Sequence, residues 1–349
     1  MQQRRFAAAA IAAAVLLSMA AGCTSDKPDD PGTKGGSGKP VVAFSQEGLE
    51  NDWRTENTQS IISSLEAAGY EVIYQQADED QARQVEQVQN MLQQKPDILV
   101  VEPAEAEAAT PIARLAQEAG IPLIVADRSL GVEPGGEFTM YKTVITQNWE
   151  DMGTKLGEAA VALLTKLNGA PKGNIVEIIG TLGSSPQINM DKGFAAVIAK
   201  YPDIKIIAAE DGDNKRAEGM QIMEDFLTRF PAGGIDMVWS HNDEMALGAL
   251  MAIEAAGRTE LLGTIISKDG KVEAIEQVAK GVFANVCTNT PYFGPIILPY
   301  VQDILAGKEV PTHPDKPFAC FESITDAGLA EAKTQYNDLV AANAKFANR

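Results

Sequence analysis

Short apolar runs rich in Val and Ile recur along the chain, separated by longer stretches in which apolar residues return every three or four positions. The runs read as strands at Val41–Ser45, Glu71–Tyr74, Asp97–Val101, Pro122–Ala126, Thr139–Ile145, Asn174–Ile179, Ile204–Ala209, Asp236–Ser240, Thr264–Ser267, Asn285–Thr288 and Pro317–Phe321. Between most of them the period is helical. In Ser60–Ala68 the residues Ile61, Ile62, Leu65 and Ala68 share a face, and in Gln84–Leu92 so do Val85, Val88 and Leu92. Alternation of strand and helix implies parallel sheets covered on both faces. The expected fold class is therefore α/β, doubly wound.

Some 310 residues follow position 39, more than one hydrophobic core comfortably holds, so two lobes are expected. No Pro/Gly/Ser-rich linker divides them. Several ordered strands should then join the lobes and form a hinge beside a cleft. The expected division gives 40–146 and 289–318 to the amino-terminal lobe, and 147–288 and 319–349 to the carboxyl-terminal lobe. In open α/β sheets ligands bind beyond the carboxyl ends of the strands.

The texture differs ahead of the first strand. Arg4 and Arg5 precede an uncharged run, Phe6–Ala21, which is too short for a membrane span of about 20 residues. Residues 1–22 read as an export signal that is removed. Ala20, Ala21 and Gly22 before Cys23 resemble a bacterial lipobox, with Ala20 in place of the usual leucine; such a cysteine is lipidated and becomes the mature amino end. The competing reading, a buried helix with an incidental cysteine, lacks a polar face to make it amphipathic. Residues 24–39 contain no large apolar side chain and read as a flexible tether. The expected location is the extracellular face of the cytoplasmic membrane, with the lipid as the sole membrane contact.

The formal charge is −19. Loss of residues 1–22 removes Arg4 and Arg5 and no acid, leaving −21. Such acidity opposes binding to nucleic acid or to anionic lipid. Once Cys23 is lipidated, Cys287 and Cys320 remain as a disulfide or as two buried thiols, the oxidising exterior allowing the bond.

Residues at the strand ends form a polar, aromatic and charged set. Ser45, Gln46, Glu50, Trp53 and Arg54 follow the first strand, Glu102 the third, and Asp127 and Arg128 the fourth. Asp211 and Asp213 follow Ala209, His241, Asn242 and Asp243 follow Ser240, and Asp269 lies near Ser267. Carboxylates and amides share hydroxyl hydrogens, guanidinium donates in a fork, and indole offers a flat apolar face. That combination suits a sugar, whose rim is hydroxylated and whose faces are C–H. Each residue also has a plainer reading: Asn242 and Asp243 as helix caps, Asp127–Arg128 as a structural ion pair, Trp53 as core. The sugar reading rests on their convergence.

Five segments, FSQEGLENDWRTENTQS (44–60), VADRS (125–129), GTLGSS (180–185), SHNDEMALGAL (240–250) and SKDG (267–270), together resemble the ribose-type (type I) periplasmic sugar-binding proteins of ABC importers, most nearly their galactofuranose-binding branch. The resemblance covers roughly residues 40–340. It implies ligand contacts at Glu50, Asn51, Asp52, Trp53, Arg54, Asp127, Arg128, Asn242 and Asp269, with Trp53 against the sugar ring. Met190 stands where the galactofuranose branch has arginine, so Gln187 or Asn189 would substitute, and another aldose, a furanose or a polyol remains open. Ser45 and Gln46 are further candidates. The resemblance places Cys287 and Cys320 on lobe crossings, where a bridge would staple hinge strands; cysteines that some relatives pair in the second lobe correspond to Asn174 and Asp236 here. A permease and its ATPase are the implied partners of an otherwise monomeric, cofactor-free receptor for a monosaccharide.

A glycosidase would need two carboxyl groups at a set separation, for which Glu50, Asp127 and Asp269 are candidates. The chain has two histidines, His241 and His313, and no zinc-spaced cluster, Gly-x-Ser-x-Gly elbow or phosphate loop. A binding protein is expected, not an enzyme. Delivery to a sensor is the alternative use of the same fold, and a related repressor would need DNA-binding helices where the signal and tether stand. Asp211-Gly212-Asp213-Asn214 lacks the full ligand set of an EF-hand and reads as a solvated turn.

Overall fold

The computed structural model describes residues 38–347, with side chains to residue 341. The signal segment 1–22, Cys23 and the tether as far as residue 37 lie outside the described residues.

The chain runs β1 (Val41–Gln46), α1 (Asp52–Ala67), β2 (Glu71–Gln76), α2 (Gln81–Gln93), β3 (Ile98–Glu102), α3 (Pro111–Ala119), β4 (Leu123–Ala126) and β5 (Tyr141–Ile145). It continues with α4 (Trp149–Asn168), β6 (Gly173–Ile179), α5 (Ser185–Ile198), β7 (Ile204–Asp211), α6 (Arg216–Arg229), β8 (Met237–Ser240) and α7 (Asp243–Ala255). After a short 3-10 turn follow β9 (Ile265–Asp269), α8 (Val272–Ala279), β10 (Phe283–Thr288), α9 (Gly294–Leu305), β11 (Cys320–Glu322) and α10 (Asp326–Ala347). Every strand expected from the apolar runs is present.

Two sheets result, one ordered β2-β1-β3-β4-β5 and the other β11-β10-β9-β8-β6-β7. The two-residue period of each strand sends alternate side chains to opposite layers. In the first sheet Val42, Phe44, Ile98, Val100 and Ile124 pack with Ile61 and Leu65 of α1 and with Ile297 and Val301 of α9. Ala43, Leu99, Val101 and Val125 pack with Val88 and Met91 of α2 and Ile112 and Ala116 of α3. The second sheet repeats the plan. Val176, Ile178, Val238 and Ile265 meet α6, α7 and α8, while Ile175, Met237, Trp239 and Ile266 meet α4 and α5.

Two features depart from strict alternation. The segment 127–140 joins β4 to β5 without a helix, since Gly131, Pro134, Gly135 and Gly136 break any helical run, yet the two strands still pair in parallel. β11 adds antiparallel to β10, because it enters the second sheet from the other lobe.

The chain crosses between the sheets three times, at 146–148, 289–293 and 306–319. The third crossing lies along both lobes: Val144 N donates to Thr312 O at 2.9 Å, and Thr288 N to Ala319 O at 2.7 Å. Cys287 and Cys320 face each other in the β10–β11 register and are joined by a disulfide, at the second-lobe ends of two crossings.

Candidate binding cleft

The carboxyl ends of both sheets face a cleft lined by residues from both lobes and from the crossings between them. The lobes are closed over it. Ser129 N donates to Ser185 Oγ at 2.8 Å, Ala106 N to Gly183 O at 2.9 Å and Asn51 Nδ2 to Asn214 O at 3.1 Å. Two ion pairs span the rim: Lys215 Nζ to Glu79 Oε2 at 2.7 Å and Lys271 Nζ to Asp52 Oδ2 at 3.2 Å.

The first-lobe wall is built on two arginines. Asn51 caps α1 by accepting from Arg54 N, so the helix starts eight residues before the apolar face that marks it in sequence. This early turn carries Arg54 inward. Its guanidinium, 3% exposed, lies 2.8 Å from Glu102 Oε2, 3.0 Å from Glu47 Oε1, 3.1 Å from Asp127 Oδ2 and 3.3 Å from Glu50 Oε1. Arg128 Nη2 reaches Glu47 Oε1 at 2.6 Å. Four carboxyl groups thus surround two guanidinium groups. Burial pushes Glu47 up to about 8, Arg128 pulling the other way, and burial also raises Glu102. Asp127 differs: burial would raise it, but Arg54, Arg128, Lys268 and Lys316 outweigh that and hold it below the usual carboxylate range. Glu50 Oε2 is buried with no hydrogen-bond partner and belongs to a residue lining the cleft.

The second-lobe wall presents Asn242, Asp269, Gln187 and Met190. Asn242 Oδ1 accepts from Met245 N at 2.8 Å and its Nδ2 donates to Asn214 O at 3.1 Å; it is both helix cap and cleft residue. Met190 is fixed because α5 lies directly on α4, with glycine at both contacts. A Cβ at Gly153 would come within 2.1 Å of Met190 O, and one at Gly193 within 2.1 Å of Glu150 O. Asp269 is buried, which raises its pKa, and pairs with Lys268 Nζ at 2.8 Å. Asp127 and Asp269 both have positive φ, 57° and 121°. Such backbone strain in residues other than glycine collects at functional sites.

The hinge forms the third wall. Asn289 accepts at Oδ1 from Gln147 Nε2 at 3.0 Å and from Lys316 Nζ at 2.8 Å, one partner from each of the other crossings. Its Nδ2 donates to Asp127 Oδ1 at 3.2 Å, and its carbonyl accepts from Trp53 Nε1 at 2.6 Å. The indole is thereby tied to the hinge while lining the cleft.

The cleft gathers Glu50, Asn51, Trp53, Arg54, Asp127, Arg128, Asn242, Asp269, Gln187 and Met190. Other candidates lie elsewhere. The Asp52 side chain is 83% exposed and sits on the rim with Lys271, because it occupies the outward side of the first helical turn. Ser45 and Gln46 are buried beneath the wall, where Gln46 Nε2 donates to Glu102 Oε2 at 2.9 Å. Asn189 turns back to bond Ser185 O. Asp213 pairs with Lys215 in a turn where Asp213 N bonds Asp211 Oδ1.

Asn214, Lys268 and Asn289 line the cleft without having been singled out. Lys268 and Asn289 follow the strand-end rule that found the others; Asn214 enters through its carbonyl, which carries no residue-type signal. Among the described residues one group has a metal-ligand donor set, Glu177, Asp191 and His241, with ligand atoms within 4.8 Å of one another. His241 Nε2 there makes a 2.8 Å hydrogen bond with Glu177 Oε1.

Two doubly wound lobes, three crossings and a polar cleft at the carboxyl ends of the strands define a two-lobed hinge architecture. The chain belongs to the periplasmic binding protein domain family, whose model matches residues 42–309. It is 35% identical over 218 residues to the galactofuranose-binding protein YtfQ of Escherichia coli, covering 62% of this chain and 66% of that protein. It is 31% identical to the xylitol-binding protein of Mycolicibacterium smegmatis, covering 66% of this chain and 62% of that protein. The chain thus spans just under two thirds of the length of these curated relatives. The crystal structure of a Mycobacterium smegmatis protein in complex with beta-D-fucofuranose superposes with a TM-score of 0.76 at 32% identity, covering 87% of this chain and 97% of that one.

Proposed function

We propose that the protein is the monomeric solute receptor of an ABC importer, and that it closes its lobes around one monosaccharide in furanose form and presents it to a permease driven by an ATPase. The observation carrying this reading is the composition of one small closed cleft. Carboxylate, guanidinium and amide groups from both lobes converge there beside the Trp53 indole, meeting the hydroxyl rim and C–H face of a single sugar ring. The family supports binding in place of catalysis, and the galactofuranose and fucofuranose recognised by its relatives support a five-membered ring. The bound residues are proposed to be Glu50, Asn51, Trp53, Arg54, Asp127, Arg128, Asn242 and Asp269. The export signal and Cys23 support lipid anchorage on the outer face of the cytoplasmic membrane, with residues 24–39 as a tether.

The test is a thermal-shift screen of pentoses, hexoses, polyols and amino acids, since a ligand bound only by the native state raises stability with its concentration. The expected result is stabilisation by an aldose that populates a furanose. Stabilisation by amino acids and by no sugar overturns the reading. The xylitol-binding relative supports a second outcome, preference for an open-chain polyol, which the same screen separates.

A further inference from the structure

His241 directly follows β8 and, like Met190, lines the cleft. Its side chain is 1% exposed. Nε2 lies 2.8 Å from Glu177 Oε1 on β6 and 3.3 Å from Asp191 Oδ1 on α5. Trp239 rests against the ring, centroids 4.6 Å apart. An ionised carboxylate only accepts, so the Glu177 bond fixes the hydrogen on Nε2 and sets the angle of the imidazole. The other nitrogen, Nδ1, is buried with no hydrogen-bond partner. Native structures rarely leave a buried polar atom unpaired, and each exception calls for a strained, functional or solvent role.

We infer that His241 is a specificity-determining residue of the cleft, its Nδ1 bonding one hydroxyl of the bound sugar while Glu177 orients the ring from behind. Met190 is 1% exposed and offers no hydrogen bond on the same wall, which leaves this contact to the histidine. A hydroxyl both donates and accepts, so it satisfies Nδ1 in either protonation state; a deoxy analogue at that ring position adds no bulk and leaves Nδ1 unpaired. The inference rests on the sugar-binding reading and adds a residue and a selection rule to it.

Imidazole nitrogen NMR tests the contact directly. The chain has two histidines, and His313 is exposed on the third crossing, bonded to Glu133, which makes it an internal control. The full chain is titrated with D-fucose, D-galactose, L-arabinose, D-ribose and xylitol, and tryptophan fluorescence scores binding independently. A bound sugar should move the His241 Nδ1 resonance and leave His313 in place. His241→Gln, whose amide keeps the Glu177 bond and loses the Nδ1 position, should weaken binding about tenfold or more and lose the ability to distinguish a free hydroxyl from its deoxy analogue at one ring position. His241→Asn, with its amide near the Nδ1 position, should recover part of both. A sugar that saturates the fluorescence change without moving Nδ1 overturns the inference and leaves the sugar-binding reading intact. The wild-type titration decides this even if the variants fold poorly. Absence of binding by every compound overturns both.

Discussion

Arg54 Nη1 lies 2.8 Å from Glu102 Oε2, and neither side chain is more than 3% exposed. Asn57 and Gln46 hold Glu102 from below, so this pair fixes the floor on which Glu50 and Asp127 stand. Removing the cation leaves Glu102 buried without an ion-pair partner. Arg54→Met should therefore abolish measurable sugar binding and destabilise the protein by about 3–5 kcal/mol, the range found when one partner of a buried pair is removed. Arg54→Lys restores the charge without the fork and should recover only part of the stability. Urea denaturation and calorimetric titration check both variants; an unchanged urea midpoint for Arg54→Met would contradict the architecture of the wall.

Trp53 contributes an aromatic face to the cleft and a hinge bond through Nε1 to Asn289 O. Trp53→Ala removes both and should weaken binding by about 30-fold or more, the scale of an aromatic hot spot. Trp53→Phe keeps a ring against the ligand and loses the hinge bond, so its dissociation constant should fall between those of wild type and the alanine variant. Equal affinity in all three would show that no ring packs on the sugar.

Asp52 separates a rim role from a ligand role. Its carboxylate pairs across the closed mouth with Lys271 and stands largely in solvent, where such pairs contribute about 0.2–1 kcal/mol. Asp52→Ala should raise the dissociation constant by no more than about fivefold, with a smaller effect in high salt, where the pair is screened. A loss of a hundredfold independent of salt would return Asp52 to the set of ligand contacts.

The placement of Asp52 shows what the sequence could and could not carry. Strand positions were legible because Val- and Ile-rich runs bounded by turn residues have few other readings, and the strand-end rule led to Asp127, Asp269 and Asn242. The orientation of successive residues in one helical turn was not legible. Asp52, Trp53 and Arg54 are adjacent in the chain, yet α1 starts at Asp52 and about 100° per residue sends one outward and two inward. Gln46 reads as a strand-end hydrogen-bond donor in sequence, but it belongs to the last residue of β1 and is spent on Glu102, Asn57 and Thr58. Asn289 directly follows β10, where the strand-end rule applies, but its bonds depend on three crossings meeting at one point, which local periodicity does not encode.

Stability should decline as pH rises through neutrality, because burial raises several carboxyl groups, Glu47, Asp243 and Asp269 among them. Burial pushes the Glu47 carboxyl from an ordinary 4.5 to about 8 in the folded protein, and Glu102 shifts the same way. Between those values the folded state holds a proton that the unfolded chain has released. The associated stability is fully present below about 4.5 and is lost as pH approaches 8, an effect of at most about 5 kcal/mol for a shift of this size. Asp127 acts in the opposite direction, losing its contribution only on acidification through its depressed value. Urea midpoints measured from about pH 5 to pH 8.5 should fall for wild type and fall less for Glu47→Gln, which carries no titrating group at that position; identical slopes would place the pH dependence elsewhere.

Cys287 and Cys320 close a loop with a sequence separation of 33 residues, and the loop contains α9, which packs on the first sheet, and most of two crossings. Cross-linking a loop of that length restricts the unfolded chain by about 3–4 kcal/mol in the chain-entropy account. Cys287→Ala/Cys320→Ala should lower stability by up to that amount. The bond also ties β10 to β11 where both leave the second sheet, so its removal frees two of the three crossings to move separately. Closure depends on those crossings bending together, since Asn289 and Lys316 are bonded to each other from opposite sides of this loop. The variant should then release sugar faster by stopped-flow fluorescence, beyond what its lower melting temperature accounts for at a temperature well below unfolding. An unchanged release rate alongside the expected loss of stability would confine the disulfide to restraining the unfolded chain and remove it from the hinge.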